Sequence, residues 1–163
     1  MKFLPYENYT LATKLSPAET FARLRDNIIV TSRPISNFKI KTTRSYWGHL
    51  KGDSFEIHRV TWYANSFAPV ITGQIHDDRG QTRIHIKMKM RAIIVVLFII
   101  WMSGVTLALV ASIIDTIESQ KLSSLLFVAI AFYVIGYGLC LTGFKYESSK
   151  SKKILDAILS DNH

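Results

Sequence analysis

The chain has 163 residues, 20 Lys and Arg against 12 Asp and Glu, a formal net charge of +8, and 48% apolar residues. That length holds one ordinary domain, or a smaller domain with a membrane anchor. Its single cysteine, Cys140, excludes an intramolecular disulfide framework.

The first fifteen residues carry Lys2, Pro5, Glu7 and Asn8 where a removable signal peptide needs an apolar stretch, so none is expected. Tyr9, Leu11, Thr13 and Leu15 alternate with Thr10, Ala12 and Lys14, the period of a strand with one buried face. Ser16, Pro17 and Glu19 then form a helix start: Ser16 caps, Pro17 suits the first helical position, and Glu19 completes a capping box. Phe21, Leu24 and Ile28 follow at helical spacing, which predicts a surface helix with one apolar side.

Beyond Pro34 the period returns to two. Phe38 and Ile40, Phe55 and Ile57, Ile71 and Ile75 around Gly73, and Ile84 through Met90 alternate with polar neighbours, separated by turn sequences such as Lys51 to Ser54 and Asp77 to Gln81. Short separations favour antiparallel neighbours. The expectation for residues 1–91 is therefore an α+β module, a small antiparallel sheet of about five strands with one covering helix. Its uncovered face would carry Lys39, Lys41, Glu56, His58, Gln74, His76, Arg83, His85, Lys87 and Lys89.

The alternation ends at Met90, and from Ala92 charged residues vanish. Residues 92–114 and 122–144 are runs of 23 residues without a charge. As helices they extend about 35 Å, against a bilayer core of about 30 Å, which predicts a transmembrane hairpin joined by an external link at 115–121. Gly104, Ala108 and Ser112 on the first run, and Gly136 and Gly138 on the second, are small residues suited to close helix packing or self-association. No charge lies within either run, which speaks against an ion path. The tail, 145–163, places Ile154, Leu155, Ile158 and Leu159 on one helical side, as in a short amphipathic helix at the bilayer interface or docked on the sheet.

Cationic residues flank the spans: Arg83, Lys87, Lys89 and Arg91 before the first, and Lys145, Lys150, Lys152 and Lys153 after the second. Positive flanks stay inside, so the protein is expected in the inner (plasma) membrane with both termini cytoplasmic. Arg83, Lys87, Lys89 and Arg91 are the candidate headgroup contacts. The basic charge with Tyr46, Trp47, Trp62 and Tyr63 has the outline of a nucleic-acid surface, but topology and lipid contact account for it, and nucleic acid is not the expected partner.

Catalytic patterns are sparse. Ser66 lacks the glycines of a nucleophile elbow, and His76, Asp77 and Asp78 are adjacent residues of a turn with no second cluster to complete a metal set. Neither a metal nor a cofactor is expected. Arg59 shares the inward side of its strand with Phe55, Ile57 and Tyr63, so its guanidinium requires a carboxylate, a carbonyl or a ligand anion. With Asn65 and Ser66 at a rigid corner, Arg59 and Tyr63 form the candidate ligand or partner notch, set against a structural corner with Arg59 paired internally.

The set Gly48, Gly52, Phe55, Ile57, Arg59, Tyr63, Asn65, Ser66, Phe67, Pro69, Gly73 and Thr82, followed by the apolar run, resembles an uncharacterised family of small bacterial membrane proteins. The resemblance implies a membrane-anchored bacterial module and no assigned activity. The expected function is a non-catalytic binding or adaptor unit for a protein partner or an amphiphilic ligand. The alternative is a membrane enzyme, or subunit of one, acting on a lipid-derived anion.

Overall fold

A computed structural model describes residues 5–31, 43–60, 65–78 and 80–159. The expected strand at Phe38 and Ile40, and Tyr63 of the candidate notch, lie outside the described residues. The elements run β1 (Tyr6–Thr13), α1 (Pro17–Asn27), β2 (Ile28–Val30), β3 (Tyr46–Lys51), β4 (Ser54–Arg59), β5 (Val70–Asp78), β6 (Gln81–Lys89), α2 (Ala92–Ser119) and α3 (Ser124–Leu159). The fold is α+β with a C-terminal pair of long apolar helices. Two compact units are present, Met1–Arg91 with Phe144–His163, and Ala92–Gly143.

The first unit is built on a six-stranded sheet in the order β1-β6-β5-β4-β3-β2. Its strands β3 to β6 form an antiparallel meander and β1 joins β6 antiparallel. The tight turns use glycine where the backbone turns left-handed, Gly52 at φ 55° and Gly80 at φ 85°. The sheet departs from an all-antiparallel one at β2, which pairs parallel to β3 through Ile28 and Tyr46. The reason lies in α1. Its start has the reciprocal capping bonds, Glu19 N–H to Ser16 Oγ at 3.2 Å and Ser16 N–H to the Glu19 carboxylate at 2.9 Å. Those bonds hold the fully exposed Glu19 carboxyl below the usual carboxylate range. The helix connects β1 at one edge to β2 at the other, packing on β2 and β5. The crossover makes β2 run the same way as β1, and β3, four antiparallel pairings away from β1, runs that way too, so β2 meets β3 parallel; Ile28, Ile29 and Val30 are β-branched residues that suit a strand.

One face of the sheet forms the core. Ile57, Ile71, Ile84, Ile86 and Met88 are completely buried on it, while Arg83, His85, Lys87 and Lys89 alternate outward along β6. Phe55 lies opposite Gly73 in the register, and its ring occupies the space that a side chain at 73 would take: a Cβ there would sit 2.1 Å from the Phe55 ring. An aromatic side chain thus covers the gap a strand glycine leaves. The buried hydroxyl of Thr82 donates to the Leu15 carbonyl at 2.6 Å, tying the start of β6 to the chain entering α1.

Helix α1 covers only part of this face. The remainder is covered by the last part of α3, where Phe144, Ser148, Ser151, Leu155 and Leu159 are buried at three- and four-residue spacing. The Tyr46 hydroxyl donates to the Ser151 carbonyl at 3.0 Å, and the Lys152 ammonium lies 4.6 Å from the Tyr9 ring centroid. The amphipathic tail is therefore the continuation of α3 and docks on the sheet. The expected 115–121 link is shorter as well, because α2 continues to Ser119 and α3 begins at Ser124.

Gly73→Ala is expected to destabilise the chain by about 1–3 kcal/mol through overpacking against Phe55. Phe55→Leu in the same chain should restore part of that loss, as read by equilibrium unfolding of the detergent-solubilised protein. A penalty unchanged by Phe55→Leu would mean that the ring is not the obstacle.

Candidate functional site

The register arranges the outer face of the sheet in rows. One row reads Asn8, Lys87, Thr72, Glu56 and His49 across β1, β6, β5, β4 and β3; the next reads Thr10, His85, Gln74, Ser54 and Lys51. Between these rows lies a groove of about 580 Å³, floored by Thr72, Gly73 and Gln74 and flanked by His49 and Lys51 on one side and His85 and Lys87 on the other. Its lining offers ammonium groups, imidazoles, amides and hydroxyls, and one carboxylate, Glu56. His85 is fixed by Thr10, with Oγ1 to Nδ1 at 2.8 Å, and by the edge of His76, whose ring centroid is 5.4 Å away.

The neighbouring rows are engaged differently. Arg83 pairs with Asp78 at 3.0 Å and His76 meets His85, so His76 and Asp78, which lie in the last part of β5 rather than in a turn, each have a separate neighbour. Lys89 lies 6.0 Å from the Tyr6 ring. His58 stacks on Trp47, with centroids 4.2 Å apart and planes at 17°, and its Nε2 is 3.8 Å from Glu56. Burial pushes the His58 pKa below its ordinary 6.5, the charge of Arg91 adds to the fall, and Glu56 opposes it.

Of the expected notch, Arg59 is held inside the fold and Asn65 is half-buried in a local turn. Arg59 is inward-facing opposite Tyr46, and its Nη2 donates to Oε2 of Glu147 on α3; their side chains are 11% and 5% exposed. The guanidinium thus meets its requirement for an anion within the first unit. Asn65 accepts the amide of Phe67 at 3.0 Å, and Ser66 is exposed. Around the pair is a polar seam: Tyr9 and Tyr46 both have pKa values raised, by burial first, and the negative charge of Asp156 acts on both in the same sense. Sequence reasoning identified the need of Arg59 and missed Glu147, 88 positions away. The available signal was a lone acid in the buried stripe of a helix otherwise lined by Phe144, Ser148 and Ser151.

In the second unit, α2 and α3 pack along Ser112 and Ala129, both buried. A cleft of about 410 Å³ between them is lined by Ala108, Ala111, Leu125 and Phe132, with Asp115 among the lining residues. Gly136 receives the Trp101 ring, which a Cβ would approach to 2.0 Å, whereas Gly104 and Gly138 have no heavy atom within 4 Å of that position. The hydroxyls of Ser103, Thr106 and Thr142 bond to carbonyls of their own helix at 2.7 to 2.8 Å. Both helices are long and apolar enough to cross a membrane.

Removing one partner of a buried ion pair costs about 3–5 kcal/mol, whereas replacing both by apolar residues of similar volume is often neutral or stabilising. Glu147→Ala should therefore lose stability in that range, and Arg59→Met with Glu147→Leu should regain most of it in denaturant unfolding of the detergent-solubilised chain. A double variant no better than the single one would show that the two do not act as a pair.

A second expectation follows from His58. Because its folded pKa lies below the unfolded 6.5, the unfolded chain binds the proton first as the pH falls, so stability drops below about pH 6.5 and levels off beneath the folded value. The parent should lose more unfolding free energy than His58→Gln over that window. A parent that gained stability would instead mean that Glu56 dominates.

No family model, curated protein or solved structure matches this chain.

Proposed function

We propose that the protein is a two-pass membrane protein whose α+β module is a non-catalytic binding unit, using the uncovered face of its sheet to engage an amphiphilic, anionic ligand. The observation that carries the membrane part is where apolar surface is exposed. Among the described residues, the large exposed apolar side chains fall within 92–143, save Val30 and Tyr146. They include Ile93, Leu97, Ile100, Leu107, Phe127 and Val134, at positions distributed around both helices. A soluble chain rarely exposes contiguous apolar surface on this scale, and lipid tails accept it without penalty. The inward bonding of the helix hydroxyls agrees, since a bilayer offers no other partner.

Chain topology supports an even number of crossings. Arg91 and Phe144 belong to the same compact unit, so the chain leaves that unit and returns to it. With Lys87, Lys89 and Arg91 before the excursion and Lys145, Lys150, Lys152 and Lys153 after it, the charge rule puts that unit and both termini on the cytoplasmic side of a plasma membrane. The competing enzyme reading relied on Arg59 as an anion holder, and that guanidinium is engaged by Glu147. The outer face, by contrast, is open and carries more cations than carboxylates.

Cysteine labelling tests the topology. In a Cys140→Ser background, Glu118→Cys should react with a membrane-impermeant maleimide in intact cells, and Ser66→Cys only after permeabilisation. The membrane fraction should also retain the chain through an alkaline carbonate wash. Labelling of Ser66→Cys in intact cells, or release by carbonate, would overturn this reading.

A further inference from the structure

We propose that the groove on the outer sheet face is a built site for the phosphate of an anionic lipid headgroup, held between Lys51 and Lys87; this rests on the membrane-anchored reading above. The two lysines stand on β3 and β6, three strand spacings apart and one row offset along the strands, roughly 16 Å in all, at opposite walls of the groove. Extended lysine side chains reach inward over such a gap, so both ammonium groups can bear on one anion at its centre. Among the described residues neither has an ion-pair partner, in contrast to Arg83 with Asp78 beside them.

The floor adds directional donors. The Gln74 amide and Thr72 hydroxyl rise between the walls, and the His49 and His85 imidazoles border them. Glu56 limits the charge: with two cations and one carboxylate the groove matches a monoanionic phosphodiester better than a polyanion. Its carboxylate also stands 3.8 Å from His58 Nε2, toward the next row. A volume of about 580 Å³ exceeds what a bare phosphate fills and is in the range of sites for small molecules, which leaves room for a polar headgroup. A lipid is favoured over a soluble phosphoester because β6, which supplies Lys87 and His85, ends at Lys89 and the first candidate span begins at Ala92. Only Met90 and Arg91 separate them, so the tether between the strand that carries Lys87 and that span is two residues long.

The test titrates full-length protein in neutral detergent micelles with fluorescent phosphatidylglycerol, using phosphatidylcholine as the uncharged comparison and soluble glycerol phosphate as competitor. The expected result is a preference for phosphatidylglycerol that Lys51→Gln and Lys87→Gln each weaken about fivefold, and together roughly twenty-fivefold, while Lys121→Gln leaves it unchanged. Glycerol phosphate should compete only weakly. An undiminished preference in the double variant overturns the groove as the site. Equal competition by glycerol phosphate overturns the lipid as its source. A parent with no preference over phosphatidylcholine overturns the proposal entirely, and the cysteine labelling then reports separately whether the membrane-anchored reading stands.

Discussion

The structure depends on covering one face of a twisted sheet. Period-two alternation gives the six strands a face that is apolar from Ile57 to Met88, and a sheet with such a face is stable only when something lies on it. Helix α1, with 11 residues, is too short for the whole of it. The rest of the cover arrives from the far end of the chain, as the last turns of α3, so 92–143 forms an insertion between a sheet and the helix that completes its core. That arrangement makes the Arg59–Glu147 pair matter beyond its own energy. A guanidinium on the inner face is tolerable only with a carboxylate beside it, and the carboxylate is on the returning helix. The pair accordingly fixes which turn of α3 meets which strand, as the Tyr46 hydroxyl does on the Ser151 carbonyl.

The same covering decides which surface is left for function. Once the inner face is closed by two helices, three of the polar side chains on it are engaged by the fold: Arg59 by Glu147, Tyr46 by Ser151, Thr82 by Leu15. The outer face carries the complementary set, because every residue that alternates with a buried one must point there. Its cations are present as a consequence of alternation and its geometry as a consequence of register, which aligns Lys87, Thr72, Glu56 and His49 in one row.

How much of this was legible in the sequence follows from the range of the forces involved. The capping box at Ser16 and Glu19 was readable because its donors and acceptors are three residues apart. The alternation of β6 was readable because each side chain reports its own face. The parallel β2 escaped because three residues are too few to show a period, and its Ile28–Val30 run follows α1 without a break. Arg59 announced a need that only tertiary structure answers, since its partner is 88 positions distant. The groove escaped for a related reason: Lys51 and Lys87 have nothing in common locally, and only the pairing of four strands brings them to facing walls.

Helix α3 gathers these constraints into one element. Through its first part apolar residues such as Phe127, Phe132, Val134 and Leu139 are exposed on most sides, as a helix solvated by lipid tails would be. From Phe144 the pattern narrows to one buried stripe, with Lys145, Lys150, Lys152 and Lys153 on the remaining sides, as on a helix lying between a protein core and water. Gly143 stands at the change, yet the helix continues through it without interruption to Leu159. What changes is the side-chain pattern: on the membrane reading proposed above, apolar positions on all sides match lipid tails before Phe144 and one buried stripe matches the sheet after it, a change of surroundings that requires no change of secondary structure.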